Sequence, residues 1–509
     1  MRLINSELAG GRYGIVRRML VSFVFLTAVL FFTTHALCRV LSVDARDYFG
    51  LQLSEDVLSQ YRHLKKYVER PLEDWQAYDS MQKVFPEGVL FPLAFLNYAV
   101  TEMALSEDPA FSKKEAAEVL SRTVEKALSR HVQDVILQAW PDYQLTGPLT
   151  PSVIYRGHLN LMLGNYRLLS GDNRYDELHR KLTESLFRDF KASPYKNLQS
   201  YPGYCWPADN TVALASLRVY DKSFGTDYAS AAREWQRWMA EHALDRETGL
   251  MDSRLNPWDG TSMAGPRGCA MSWSLAFLKD VLPEFSKEQY KLYKKHFFSH
   301  GGGVTAIREW KRHYQGYQDV DTGPIFFGFG LAASGLGAAA TKAMGDQESF
   351  IGLLRIGESI GFPLQWRGEK FYFGGFCLLG DTLALWGKVQ RPSENRNNFV
   401  AREPAFFLLA GIFFVGGFFS VLNWAFLMRR IRLLREWKKR DDLLLLCRVE
   451  QKGRRGALLG LALFVFLLIS ACFLKSIYFF CGGLIVILGL LESIDRFDLK
   501  KLKKENLLV

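Results

Sequence analysis

Apolar residues between positions 45 and 400 recur every three or four residues, the spacing of amphipathic helices, while the alternating runs typical of strands are few. The pattern also repeats along the chain. A helix rich in small residues is followed by a short turn and a more polar helix. The first helices of the copies begin near Gly88, Gly157, Asp209, Cys269, Phe327 and Cys377. The sequence therefore predicts an all-α domain built from helical hairpins, the last of which lacks its second helix.

Six helical hairpins arranged radially form an (α/α)6 barrel, and we expect this fold for residues 45–400. Small residues on the first helices allow these helices to approach closely around the barrel axis. A further helix, predicted near 54–69, would supply the missing outer helix and close the ring. An open α-solenoid of the same hairpins is the alternative.

Apolar segments without charged residues flank this domain, and a bilayer span needs about 20 apolar residues. The first segment predicts a transmembrane anchor at 19–41, for which a cleaved signal peptide is the alternative. Three further transmembrane helices are predicted at 405–428, 456–474 and 476–492.

A net charge of +11 is compatible with nucleic-acid binding, but the excess of basic residues lies at 1–18, 429–455 and 493–509. With four spans, the positive-inside rule puts all three segments in the cytoplasm and the nearly neutral barrel outside it. This pattern excludes nucleic acid and predicts the lipid bilayer as a partner. We expect a multi-pass protein of the bacterial inner membrane with an extracytoplasmic barrel.

The inner helices of such a barrel all run in one direction, so the residues at their N-termini collect at one mouth. Helix N-termini focus positive potential there, which suits anionic groups and developing oxyanions. The residues expected at this mouth are Tyr155, His158, Tyr204, Cys205, Trp206, Asp209, Arg267, Cys269, Asp319 and Asp321.

Three stretches of the barrel domain resemble a known family. They are VIYRGHLNLMLGNYRLLSGDNRYDELHRKL, NTVALASLRVYDKSFGTDYASAAREW and LDRETGLMDSRLNP, within 153–257. They are similar to linalool dehydratase/isomerase. The resemblance implies an (α/α)6 barrel enzyme that removes water from a tertiary terpene alcohol and isomerises it to a primary one.

The resemblance also implies site residues. The family's active-site histidine matches His158, in Tyr155-Arg156-Gly157-His158. Its two active-site cysteines, nine residues apart, fall on Ser200 and Asp209, and an active-site tyrosine falls on Cys269. The cysteine pair is therefore absent, and the resemblance implies a retained scaffold with altered acid/base groups.

Three residues are the catalytic candidates. His158 is suited to general acid or base catalysis near neutral pH, and Asp209 is a carboxyl group able to give or take a proton. Asp321 would complete an acid/base couple of the glycosidase kind. Each has a structural alternative. His158 would be a hydrogen-bonded core histidine, Asp209 would be a helix N-cap, and Asp319 and Asp321 would be a turn and N-cap pair.

The remaining candidates are expected to bind substrate. The loop YPGYCWPADN suggests an aromatic wall for an apolar pocket or a sugar ring, and Arg267 suits a carboxylate or phosphate unless it is a solvated loop arginine. Cys205 and Cys269 are either thiols in this wall or a disulfide. The substrate-binding candidates are Tyr155, Tyr201, Tyr204, Cys205, Trp206, Arg267, Cys269 and Asp319.

The sequence carries no metal-binding or nucleotide-binding motif, so we expect no cofactor. The first hypothesis is a cofactor-independent lyase or isomerase acting on an alcohol-bearing substrate. The second is a glycan-active hydrolase, lyase or epimerase, and the third is a catalytically inactive binding barrel in an envelope complex. The partner is thus a small molecule or a glycan, and a homo-oligomer is left open.

Overall fold

The computed structural model describes residues 40, 42–50, 52–71, 85–301, 303–314, 316–375 and 377–392. The chain divides into two compact units, and the helices and the site described below belong to the larger unit, residues 43–300 and 304–402.

Among the described residues, six helices form a closed inner ring in which each helix packs against the next and the last packs against the first. They carry the small residues of the repeat and are buried along most of their length. The inner helices are α3 (Phe91–Leu105), α7 (Val153–Ser170), α9 (Pro207–Phe224), α11 (Gly268–Leu278), α13 (Leu331–Ala343) and α15 (Leu378–Val389).

A second layer of more polar helices surrounds this ring. The outer helices are α2 (Glu55–Glu69), α4 (Lys113–Ala127), α8 (Asp176–Ala192), α10 (Ser230–His242), α12 (Pro283–Phe297) and α14 (Gln347–Ile360). Helix α2 packs on both α15 and α4, so the first outer helix closes the ring beside the last inner one. The predicted all-α ring of helical hairpins is confirmed, and the open solenoid is wrong.

Close helix packing in the ring depends on small side chains. On α7, a Cβ at Gly157 would lie 3.1 Å from the backbone nitrogen of Ala213 on α9. Helix α7 begins where the Ser152 hydroxyl accepts a hydrogen bond from the Tyr155 amide, and it ends at Gly171 with a φ of 68°. Both ends follow ordinary capping chemistry.

The sequence pattern missed the short elements between the hairpins. Among the described residues, the small helices are α1 (Arg46–Phe49), α5 (Arg130–Leu137) and α6 (Tyr143–Thr146), and 3-10 turns cover Pro86–Val89, Gly147–Leu149 and Phe373–Gly375. In the part of the chain that the structure describes, four two-stranded sheets pair β1 (Arg254–Leu255) with β2 (Ser262–Ala264), β3 (Phe298–Gly301) with β4 (Val304–Ile307), β5 (Ile325–Phe326) with β6 (Phe329–Gly330), and β7 (Leu364–Trp366) with β8 (Glu369–Phe371).

The prediction of a multi-pass integral membrane protein requires correction. Across the part of the chain that the structure describes, no helix combines the length and the apolar character needed to cross a bilayer. This finding contradicts the predicted membrane localisation, and the transmembrane part of the predicted fold is unsupported. The predicted spans at 19–41, 405–428, 456–474 and 476–492 lie outside the described residues, apart from Val40.

Candidate active site

The starts of several inner helices meet at one mouth of the ring. A hydrogen bond from the Tyr201 hydroxyl to Glu87 Oε1 (2.6 Å) joins the segment before α9 to the turn before α3. An open cleft of about 450 Å³ lies beside this bond. It is lined by Pro86, Glu87, Ala139, Tyr201, Pro202, Tyr204 and Trp206.

Asp209 lies in the first turn of α9 and is 8% exposed. Its side chain does not cap the helix, so the N-cap interpretation is wrong. The Ser200 hydroxyl donates a 2.6 Å hydrogen bond to Asp209 Oδ2. Burial raises the pKa of Asp209 to about 7, against the lowering effect of the Ser200 bond, and the charges of Asp321 and Glu87 raise it further. Asp209 therefore exchanges its proton near neutral pH.

Asp321 is the second carboxyl group at the mouth. Asp321 is exposed to solvent, but the protein packed around it partly desolvates its carboxyl and raises the pKa to about 6, and the charges of Asp319 and Glu87 raise it further. Within the described ranges, no hydrogen bond or ion pair engages the Asp321 carboxylate. Its charge acts on Asp209, so the two predicted carboxyl groups lie within electrostatic range of each other.

Arg267 is occupied by other protein groups. Its Nε donates to Glu309 Oε1 (2.9 Å), and its two terminal nitrogens donate to Asp319 at 2.9 and 2.8 Å. The guanidinium also lies over the rings of Trp310 and Tyr317. This arginine therefore holds the loop before α13 against the start of α11, and its bidentate partner is the predicted binding residue Asp319.

Cys269 faces the same glutamate. Its thiol donates to Glu309 Oε1 (3.0 Å) and its backbone amide donates to Glu309 Oε2 (3.2 Å). Burial, followed by the charge of Glu309, raises the pKa of this thiol well above its usual value. Cys269 is therefore a neutral thiol at the start of α11.

His158 lies inside the ring and is fully buried. Its Nδ1 shares a 2.8 Å hydrogen bond with the Tyr98 hydroxyl on α3. Phe91 and Trp273 pack against the imidazole, with ring centroids at 5.1 and 5.6 Å. Burial lowers the pKa of His158 to about 3, so the imidazole is neutral at physiological pH.

The side chains of two predicted substrate-binding residues bond to carbonyl groups of the protein. The Tyr155 hydroxyl donates to the Ala127 carbonyl on the outer helix α4, so this side chain packs between the two rings. The buried Cys205 thiol donates to the Leu198 carbonyl. Both Cys205 and Cys269 are free, so the disulfide alternative is wrong.

The aromatic side chains of the predicted wall lie at the cleft. Tyr204 stacks on Trp206 with ring centroids at 5.5 Å, and Tyr201 meets Trp206 edge to face at 6.2 Å. The Arg254 guanidinium lies over the Tyr204 ring. This arrangement presents an aromatic surface next to Asp209 and Glu87.

Sequence reasoning missed Glu87 and Glu309. Glu87 stands directly before an inner helix, which is the position that identified the other mouth residues, so this signal was available. Glu309 follows strand β4 in a segment outside the repeat, and nothing in the pattern indicates it. Among the described residues, no three His, Cys, Asp or Glu side chains are arranged to hold a metal ion.

Solved structures with similar chain paths share little sequence with this protein. The GH76 α-mannanase of Bacteroides thetaiotaomicron is 13% identical, with 59% of this chain and 85% of that chain covered and a TM-score of 0.37. The Lin0763 protein from Listeria innocua is 12% identical, with 66% and 96% covered and a TM-score of 0.41. A family 105 glycoside hydrolase of C. acetobutylicum is 12% identical, with 58% and 91% covered and a TM-score of 0.38.

A protein-family comparison covers the part of the ring from the outer helix α8 to the strand β8, and the last inner helix α15 lies beyond it. Its matched region includes Ser200, Asp209, Cys269 and Asp321, whereas Glu87 and His158 precede it. Residues 174–372 match the family described as linalool dehydratase/isomerase, and this match confirms the resemblance found in the sequence.

Proposed function

We propose that this protein is an enzyme that moves protons on an alcohol-bearing substrate, with Asp209 as the general acid and Asp321 as the general base. One observation carries the proposal. Two interacting carboxyl groups at the mouth have pKa values of about 7 and about 6, and each has an oxygen that bonds to no described residue. Titratable groups matched to neutral pH are typical of acid/base catalysts.

A dehydration can be written with these two groups alone. Protonated Asp209 gives its proton to the substrate hydroxyl oxygen, and the C–O bond breaks with release of water. Asp321 takes a proton from the neighbouring carbon, whose electrons form the new double bond. Isomerisation results instead if the allylic cation is captured before this deprotonation: water adds at the far end of the allylic system and releases one proton to Asp209, which returns to its protonated state. No electrons leave or enter the substrate.

The neighbouring groups support this assignment. Ser200 donates to Asp209 Oδ2 and so orients the carboxyl with Oδ1 available to a substrate. Burial, followed by the charge of Glu87, raises the pKa of Tyr201, so Tyr201 stays a neutral hydrogen-bond donor to Glu87. His158, which the sequence suggested as an acid or base, is here a neutral imidazole, and we assign it a hydrogen-bonding role.

The matched family indicates the substrate class. The family is named for linalool, a tertiary terpene alcohol, and the aromatic cleft suits an apolar molecule. We propose a tertiary allylic alcohol as the substrate.

A glycan-active enzyme is the second candidate. Two observations favour it. Tyr204 stacks on Trp206, and the 69% exposed Trp258 packs close to Gly203, which lies in the same loop as Tyr204 and Trp206. Exposed aromatic faces suit sugar rings, and a pair of carboxyl groups suits glycoside hydrolysis. The third hypothesis is a binding barrel, which would use the same surfaces to bind a ligand without converting it.

The test is turnover by the purified full chain. Linalool and a panel of neutral oligosaccharides are each incubated with the wild type and analysed by mass spectrometry. We expect loss of water from linalool and a decrease of 100-fold or more, on the order of a lost general acid, in Asp209→Asn and Asp321→Asn.

Asp381→Asn is the matched control. Asp381 is buried with a pKa raised to about 7, but it accepts a hydrogen bond from the Tyr372 amide on the outer side of α15. This variant should keep wild-type turnover. Glycan cleavage that is lost in Asp209→Asn would select the second candidate, and unchanged turnover in Asp209→Asn would contradict both.

A further inference from the structure

Beside the cleft, exposed aromatic and basic side chains meet at one turn of the chain, residues 201–204. Arg254 on β1 lies over the Tyr204 ring, with its guanidinium carbon 4.8 Å from the ring centroid. Trp258, in the loop between β1 and β2, lies against Gly203 of the same turn. Because Gly203 and Tyr204 are adjacent, the guanidinium and the indole are neighbours on the outer surface. We call Tyr204, Arg254 and Trp258 the rim platform.

The side chain of Trp258 is exposed but held in place. It is 69% exposed, yet a Cβ at Gly203 would lie only 3.0 Å from the indole, so the ring packs on the bare backbone of that glycine. The Trp258 amide donates to Asn256 Oδ1 (3.0 Å), and the Trp258 carbonyl accepts from the Tyr195 hydroxyl (2.5 Å). An exposed ring that is already ordered loses little entropy when a ligand stacks on it.

The guanidinium of Arg254 has no acidic partner. Among the described residues, no hydrogen bond or ion pair engages it, and its Nε is shielded from solvent without an acceptor. Arg267, by contrast, is bound by Glu309 and Asp319. A shielded donor without a partner is suited to an acceptor supplied by a ligand. The planar fork of a guanidinium matches the two oxygens of a carboxylate.

The polar loop that carries Trp258 argues against a lipid surface as the ligand. Hydrogen bonds from Thr261 lower the pKa of the neighbouring Asp259, so this carboxylate is ionised at neutral pH, and burying it in lipid would be costly. Asp259 also accepts from Asn256 Nδ2 (3.0 Å), so it is engaged within its own loop and does not pair with Arg254. The ligand must therefore be hydrated, with a ring face for the indole and a carboxylate for the guanidinium.

We propose that the rim platform docks an acidic glycan, with a uronic acid residue stacked on Trp258 and its carboxylate bound by Arg254. A pyranose ring presents apolar C–H groups to the indole face, while its hydroxyl groups stay in water. Tyr204 orients the guanidinium through the stacking contact between them. The platform is a binding surface beside the cleft. It goes beyond the proposed reaction and does not depend on it.

The test measures glycan binding by calorimetry. The full chain carrying Asp209→Asn is used, so that cleavage of a glycan at the mouth cannot interfere. The probes are tetrasaccharides of galacturonate, glucuronate and mannuronate, each compared with its methyl ester, which keeps the rings and linkages but removes the charge. We expect at least one acid to bind about tenfold more tightly than its ester, and this preference to shrink as the salt concentration rises.

Variants separate the platform from general adhesion to exposed tryptophan and arginine. Trp258→Ala and Arg254→Gln should each weaken binding of the preferred acid about tenfold, and Arg254→Gln should also remove the preference over the ester. Trp366→Ala and Arg367→Gln are the matched controls. Trp366 on β7 is 67% exposed and Arg367 lies over its ring, but this arginine is itself exposed to solvent. Both controls should bind the acid as tightly as the parent chain does.

The outcomes are distinct from those of the proposed function. No binding of any of the three acids, equal affinity for each acid and its ester, or equal losses in Trp258→Ala and Trp366→Ala would overturn the platform. A wild type that converts linalool while the platform test fails keeps the proposed reaction. A chain that binds a uronate through Arg254 but never converts linalool keeps the platform and refutes the reaction.

Discussion

The protonation states of two carboxyl groups set a pH dependence that can be measured. As general acid, Asp209 must hold its proton, and its pKa of about 7 makes activity fall above that pH. As general base, Asp321 must be ionised, and its pKa of about 6 makes activity fall below that pH. We expect a bell-shaped profile of kcat/KM with its maximum between about pH 6 and 7.

This profile is obtained from initial rates on linalool between pH 4.5 and 9 at constant ionic strength. The residual activity of Asp321→Asn should lack the acid limb, because the group that must lose its proton is gone. Activity that rises steadily to pH 9 would show that Asp209 does not act as the acid.

At the scale of single residues, the sequence could predict which side chains lie at the mouth, but not which groups they bond to. Asp209 and Asp321 could be selected because they stand at the starts of inner helices in a sequence repeat. The use of Arg267 could not be predicted, since its partners Glu309 and Asp319 follow it by more than 40 residues. The low pKa of His158 likewise depends on burial, which a sequence position does not reveal.

A helix in the outer layer shows how closely the elements pack. On α14, a Cβ at Gly352 would lie 2.6 Å from the backbone nitrogen of Thr305 on β4, and it would also overlap the Thr305 hydroxyl. A backbone atom cannot move aside without shifting the strand. Gly352→Ala should therefore lower the free energy of unfolding by about 1–3 kcal/mol despite the better helix propensity of alanine.

Gly357 provides the control on the same helix. A Cβ there meets no atom within 4 Å, so Gly357→Ala should raise the free energy of unfolding by about 0.5–1 kcal/mol. Urea unfolding followed by circular dichroism measures both variants. Equal stabilisation by the two alanines would refute the close approach of α14 to β4.

At the scale of elements, long periodic segments were predictable and short ones were not. The inner helices could be identified because small residues and helical spacing run over three or four turns. The paired strands have two to four residues each, too few for an alternating pattern to stand out. Their positions follow from packing between hairpins, as in β4 against α14.

The whole ring is closed by contacts between distant parts of the chain. Helix α2, near the start of the described residues, packs on α15, near their end. Lys388 on α15 is fully buried and donates to Asp56 Oδ2 on α2 at 2.6 Å. Lys370 on β8 is also buried and bonds to Asp56 and Glu358. Two cations and two carboxylates therefore neutralise each other at the closure.

The pKa values at the closure follow from this pairing. Burial alone would raise the pKa of Asp56, but the charges of Lys388 and Lys370 outweigh it and hold the pKa below its usual value. The same charges lower the pKa of Glu358. A lowered folded-state pKa contributes stability above the unfolded pKa of about 4, and this stability is lost as pH falls through the folded pKa.

Lys388→Met should therefore destabilise the ring strongly, and more so at neutral pH. It leaves two buried carboxylates with one cation, a change that costs about 3–5 kcal/mol when a buried ion pair loses a partner. Near pH 4 the unpaired carboxylate can take up a proton, so the difference from the wild type should shrink.

Lys65→Met is the control. Lys65 also links α2 to α4 through Glu115, but it is partly exposed, so its loss should lower the free energy of unfolding by less than about 1 kcal/mol. The free energies of unfolding of the wild type and both variants are measured in urea at pH 7 and pH 4. If Lys388→Met loses no more than Lys65→Met, or if its loss grows on acidification, the ion cluster does not close the ring.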